Sequence, residues 1–210
     1  VECKYGQIHY QSHGIGQPLV LCHQSPSSLE MFGPAYPLLA NNGIQAIGVD
    51  TPGYGQSDAP DTQPSIKDYA ECIAEVINHL DCKPVTILGH HTGACIAAEL
   101  SILRPDMISS IILNGPPLLT ISEKKQMIDA IQNAPKIIPK KDGSHLQDLW
   151  EKRKGFTPGW SDIHAMHNGV IQMLRAGANN QYGFIAAFEH DLEKTILKTV
   201  SYTHLTLPTN

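Results

Sequence analysis

Positive charge is scarce in this chain. Fifteen Lys and Arg stand against 20 Asp and Glu in 210 residues, a formal net charge of −5 at pH 7. Its two short basic runs, Lys140-Lys141 and Lys152-Arg153-Lys154, sit among helix and loop residues and read as solvated faces. That balance argues against a nucleic-acid or anionic-membrane partner. Long apolar runs are missing as well. No stretch approaches the roughly 20 residues of a membrane-spanning helix, and no signal peptide opens the chain. Cysteine is sparse: Cys3, Cys22, Cys72, Cys82 and Cys95 form no C-x-x-C, and there is no N-x-S/T acceptor. In a chain of this size that reads as reduced, cytoplasmic usage rather than a disulfide framework.

Further absences narrow the chemistry. No H-E-x-x-H or carboxylate-bearing ligand cluster is present; His90 and His91 are adjacent and point apart, and His164 and His167 are three apart on an expected helix. That pattern calls for no metal. Gly53-x-Gly55 lacks a third glycine and a following helix, and no P-loop lysine occurs. A nucleotide cofactor of the Rossmann type is therefore not expected, and the reading carries no cofactor at all.

What remains is ordinary globular composition, 41% hydrophobic and 17% charged, in a length that suits one sizeable α/β domain. Residues 4–13 alternate loosely and read as an antiparallel hairpin, ended by Gly14 to Pro18. Leu19 to Cys22 is wholly apolar, as in a strand buried on both faces. The loop from His23 to Ser28 then leads to a helix running to about Ala40, with Ser27 or Ser28 as cap. Ile44 to Asp50 is the next strand, and Thr51 to Asp58 a Gly/Pro loop. Ile66, Tyr69, Ile73, Val76, Ile77 and Leu80 share one helical stripe, behind a Ser65 cap with Asp68 three residues on. An apolar strand spans Met107 to Leu113. Beyond Pro116-Pro117 strand signals stop, and helices are expected over 122–132, 146–153, 163–176 and 182–198, with Pro158 to Trp160 and Gly177 between them. Strand alternating with helix predicts a doubly wound parallel sheet. The helical insertion after it reads as a lid over the strands' C-terminal ends.

The segment from Val85 to Ala94 organises the rest. Val-Thr-Ile-Leu is an apolar β-branched run; Gly89-His90-His91-Thr92-Gly93 is a glycine-flanked turn; a small-residue helix leaves from Ala94 to Arg104. This is the strand–sharp turn–helix layout of the G-x-S-x-G pattern, with His91 in place of the nucleophile. The glycines leave room for close backbone passage, and the turn lifts its central side chain above the sheet edge.

In order and spacing, these features resemble the capped family of the α/β-hydrolase superfamily: Gly14 to Leu21, His23-x-x-Pro26, Asp50-x-Pro52-Gly53-x-Gly55-x-Ser57-Asp58, the turn at His91, then a cap. The loop from His23 to Ser28 also resembles that of haloalkane dehalogenases, with Gln24 and Ser25 where those have Gly and Asn. The resemblance implies an α/β-hydrolase fold, a mostly parallel sheet with an N-terminal hairpin and a helical cap. It implies a core over 1–115 and a cap with return helix over 116–199. It also implies a cofactor-independent hydrolase acting on a small ester-like or other carbonyl-containing substrate. His91 falls at the nucleophile position. The N–H of Thr92 and of the Gln24-Ser25 loop, Ser25 above Gln24, fall at the oxyanion donors. The nearer place for the triad acid holds Asn114-Gly115, which carry no carboxylate. As alternatives, His91 serves as general base of a lyase, or the protein binds a ligand without catalysis.

Residues 200–209 read unlike the rest: Val-Ser-Tyr-Thr-His-Leu-Thr-Leu-Pro-Thr resembles the translated frame of a transposase-type sequencing adapter. The stretch 200–210 is accordingly expected to be non-native, the native chain to be C-terminally truncated near Thr199, and the last parallel strand to have a bare edge.

Overall fold

A computed structural model describes residues 1–155, 159, 162–199 and 202–206. Strands β1 (Glu2–Cys3) and β2 (Gly6–Gln7) form a small antiparallel hairpin. The main sheet holds β3 (Tyr10–His13), β4 (Gln17–Cys22), β5 (Ile44–Val49), β6 (Val85–His90), β7 (Ile108–Asn114) and β8 (Tyr202–Thr206). Their order is β3-β5-β4-β6-β7-β8. β3 runs antiparallel to β5, and the other described pairings are parallel. Val20, Cys22, Ile47, Val49, Ile87, Ile111 and Leu113 are buried in it. Their unbroken apolar character follows from cover on both faces of a parallel sheet.

Two helices seal one core face. α2 (Ile66–Leu80) carries the expected stripe inward and starts on a full capping box, in which Ser65 Oγ accepts from Asp68 N and Asp68 takes the Ser65 N–H. α3 (Thr92–Leu103) is buried nearly throughout. That explains its small, all-round apolar composition.

Three expectations about elements are corrected. Residues 4–13 are not one hairpin: the turn falls inside 2–7, and Tyr10–His13 pairs with β5 instead. Gly6, at φ +99, supplies the tight turn. The helix expected to run to Ala40 is split into a 3-10 segment (Leu29–Ala35) and α1 (Tyr36–Asn41). Pro34 and Pro37 lack the N–H that a continuous α-helix needs. Ser28 does cap the first part, accepting from Glu30 N.

After β7 come α4 (Ile121–Gln132), α5 (Ser144–Gly155), α6 (Ile163–Ala176), α7 (Tyr182–Glu189) and α8 (Leu192–Ile196). The single helix expected over 182–198 breaks at His190, because Asp191 starts a new one by capping Lys194 N. Pro158 and Trp160 lie outside the described residues, as do 200, 201 and 207–210 of the tail. The edge of β7 is not bare. Residues 202–206 pair with it in parallel from Ser110↔Tyr202 to Asn114↔Thr206. An unpaired parallel edge is a template for any extended segment within reach.

Candidate active site

β6 delivers the chain to a turn that only small neighbours allow. A Cβ on Gly89 would run into the backbone carbonyl of Gly93, and a Cβ on Gly93 would run into that of Cys22. Between them His91 adopts φ 49°, ψ −110°. A non-glycine residue in that region carries strain of about 1–3 kcal/mol. The turn is held by His91 N–H donating to Asn114 O at 3.0 Å and Ala94 N–H donating to His91 O at 2.9 Å. The imidazole of His91 is exposed on one side. It packs edge-on against His90, centroids 5.0 Å apart, and lies over Gly115.

The facing loop is ordered by a buried histidine. His23 Nδ1 lies 2.8 Å from Gln24 O, and Thr51 N–H donates to His23 Nε2 at 3.0 Å. Nε2 accepts, so Nδ1 carries the proton and donates to Gln24 O. Gln24 O and Ser25 N belong to one peptide. His23 therefore fixes the orientation of the very N–H that was expected as an oxyanion donor. That N–H points at the turn and donates to Thr92 Oγ1 at 3.4 Å. Gly93 makes this meeting possible, since the first turn of α3 rests on the carbonyls of Cys22 and His23.

The structure thus brings Ser25, Gln24, Thr92 and His91 to one place. The Thr92 hydroxyl takes up the Ser25 amide. Ser25 Oγ packs under Gly183, at the start of α7, where Tyr54 OH also accepts Gly183 N–H at 2.7 Å. Asp50 is a scaffold, accepting Leu29 N–H at 2.7 Å and Gln56 N–H at 2.9 Å, with His9 Nδ1 at 2.8 Å. Asp58 accepts Gln7 N–H at 2.8 Å and ties the Gly/Pro loop to the hairpin. Sequence reasoning did not give roles to His23, Tyr54 or Gly183. A histidine closing a wholly apolar strand is the signal that could have raised the first.

Burial lowers the basicity of His91 and of His23; on His90 burial acts first and the neighbouring His91 adds to it. Burial thus favours the neutral form of His91, the form that can take a proton. For His23 the consequence is stability. The unfolded chain accepts a proton near pH ~6.5, which the folded protein refuses. Its contribution is fully present above that pH and is lost as pH falls through the lowered folded value, by ~1.4 kcal/mol per unit of depression. Thermal melts across pH 5 to 8 should show the midpoint falling on the acid side. His23→Asn, which keeps a donor for Gln24 O but cannot titrate, should flatten that fall. Parallel curves for the two proteins would contradict it.

Among the described residues no group of three or more His, Cys, Asp or Glu could hold a metal ion. No described helix is long and apolar enough to cross a membrane. Two open clefts, of about 750 Å³ between α4 and α7 and about 480 Å³ beside α1, are not lined by His91, Ser25 or Thr92. Chemistry rather than size marks the site.

A mostly parallel sheet with a strained, glycine-flanked turn between a central strand and a buried helix, opposite a loop whose Ser25 amide points at that turn, defines an α/β protein of hydrolase-like architecture. The chain belongs to the alpha/beta hydrolase fold family, whose model matches residues 17–182. Over 108 residues it is 33% identical to an (E)-2-((N-methylformamido)methylene)succinate hydrolase of Acinetobacter baylyi, covering 51% of this chain and 41% of that protein. Over 135 residues it is 26% identical to a haloalkane dehalogenase of Agrobacterium fabrum, covering 64% of this chain and 42% of that one. Among solved structures it resembles an esterase from Exiguobacterium antarcticum with a TM-score of 0.73 and 26% identity, covering 93% of this chain and 75% of that one. The match spans under half the length of these two curated relatives.

Proposed function

We propose that this chain carries the catalytic apex of a cofactor-independent hydrolase that cleaves a small acyl substrate, an amide or ester. One observation carries the reading: His91, its basicity lowered by burial, is held in a strained turn next to the Thr92 N–H and across from the Ser25 N–H that points at that turn. His91 acts as general base. It takes a proton from water as the water oxygen attacks the carbonyl carbon. The carbonyl electron pair moves onto oxygen, which the Ser25 and Thr92 N–H groups receive once Thr92 Oγ1 swings off the Ser25 amide. Collapse expels the amine or alkoxide, which regains the proton from His91. The described residues of 116–155 and 162–199 serve as a cap that keeps bulk solvent from the site while admitting the attacking water.

The identity to an amidomethylene-succinate hydrolase supports an acyl rather than an alkyl substrate. So does the chemistry of the proposed site: the Ser25 and Thr92 N–H groups stabilise charge that develops on a carbonyl oxygen, which a haloalkane does not have. A second reading, ligand binding without turnover, is favoured by Asn114 standing at the end of β7 where a carboxylate would orient a base.

The test is a panel of 2-(amidomethylene)succinates, small esters and haloalkanes offered to the purified protein. Acyl substrates should turn over, with an acid limb in kcat/KM whose midpoint lies below ~6.5. Saturable binding with no turnover at any pH from 5 to 8 would leave the ligand-binding reading standing and remove the hydrolase.

A further inference from the structure

Cys3 and Cys72 meet across the N-terminal hairpin. Their sulfurs are 3.1 Å apart, although 69 positions separate them in the chain. Cys3 ends β1 and is half-buried; Cys72 lies on α2 and is buried. The contact is held in register by its neighbours: Lys4 Nζ pairs with Asp68 Oδ1 at 2.8 Å, one residue on in the hairpin and one helical turn back on α2. Cys22 and Cys95 are fully buried, so neither presents a partly exposed sulfur as Cys3 does.

We propose that Cys3 and Cys72 form a dithiol–disulfide site that closes when the protein meets a low-molecular-weight disulfide such as oxidised glutathione. Half-exposed Cys3 is the sulfur such a molecule reaches. Its thiolate attacks one sulfur of the reagent, forms a mixed disulfide and releases one small thiol. Cys72, pushed up in pKa by burial, loses its proton as it attacks Cys3 and releases the second small thiol. Two electrons pass from the pair to the reagent. The sulfurs need to close by only roughly 1 Å to reach bonding distance.

The bond ties the hairpin to α2, and the hairpin holds the loop beside the site. Asp58 N–H donates to Gln7 O at 2.9 Å, and His9 N–H donates to Ser57 Oγ at 2.9 Å. That loop carries Tyr54, which meets Gly183 above Ser25. Oxidation therefore stiffens the N-terminal third of the molecule up to the edge of the candidate site, without touching His91.

The experiment treats the intact protein with oxidised glutathione, then blocks remaining thiols and maps peptides without reduction. A single Cys3–Cys72 cross-link with no glutathione retained is expected, with a rise in Tm of about 5–10 °C that dithiothreitol reverses. Cys72→Ser should instead retain glutathione on Cys3, which shows that Cys72 is the resolving thiol. Stable glutathione on Cys3 of the unsubstituted protein, a cross-link to Cys22, Cys82 or Cys95, or five free thiols after treatment would each overturn the proposal. These readouts need no substrate, so they stand apart from the hydrolase reading.

Discussion

Alanine at Gly93 will strip the protein of much of its stability. The position is the first turn of α3, and its φ is not in the left-handed region, so the backbone itself accepts any residue. The obstacle is space. A Cβ there would overlap the carbonyl of Cys22 and come within 2.9 Å of the His23 oxygen. Both are backbone atoms at the end of β4, which is bonded in parallel to β5 and β6 and buried. Neither a rotamer change nor a side-chain shift relieves such an overlap; α3 or the centre of the sheet has to move. The cost should be at least about 3 kcal/mol, a large part of the roughly 5–15 kcal/mol that holds a domain folded. Gly155→Ala is the control: it also sits in a helix, α5, yet its Cβ would meet nothing within 4 Å among the described residues. That change should be neutral or gain a few tenths of a kcal/mol, on the order of helix propensity. Urea unfolding of the three proteins compares them directly. A Gly93→Ala midpoint close to the parent would mean that the approach of α3 to β4 is looser than it stands here.

The same contact explains why so much of this site was legible. Glycines at 89 and 93 around a β-branched strand have one structural use, the close crossing of strand and helix, so the turn could be read from residue types alone. So could α2, where the Ser65–Asp68 box and the apolar stripe are local signals. Non-local pairing left no such trace. Nothing within residues 4–13 says that Tyr10 faces Val49 rather than a neighbour in its own hairpin. Residues 182–198 are apolar and helical enough to hide the cap at Asp191, because an internal aspartate on a surface turn reads as a solvated residue. At the site, the order of motifs placed Ser25, Thr92 and His91 together, but it was silent on who bonds whom. That His23 grips the Gln24 carbonyl, and that the Thr92 hydroxyl covers the Ser25 amide, depends on rotamers and on a tautomer set by Thr51 from a different loop. The coding resemblance of residues 202–206 bears on their origin alone. The pairing with β7 answers a separate question, since a strand edge accepts a Tyr-Thr-His-Leu-Thr segment whatever its origin.

Glycine at position 91 should make the protein more stable and the site inert. At φ 49°, ψ −110° His91 sits where its Cβ crowds the backbone, and glycine has no such conflict. Relief of about 1–3 kcal/mol of strain is partly offset by the freedom glycine gains in the unfolded chain, about 0.5–1 kcal/mol, and by the lost edge contact with His90. A net gain near 1 kcal/mol is expected in thermal or urea unfolding. The same change deletes the group that the proposed mechanism uses as its base, so turnover of an acyl substrate should fall by about 10²–10⁴. Few substitutions push stability and activity in opposite directions, and the pair of signs separates the readings. Greater stability with lost turnover fits a base held in strain for its chemistry. Greater stability with turnover intact would take His91 out of the mechanism. His91→Gln completes the set, because it keeps the Cβ and therefore the strain while removing the base. It should match the parent in stability to within about 0.5 kcal/mol and match the glycine variant in activity. A glutamine variant as stable as the glycine one would show instead that the turn holds no strain at this position.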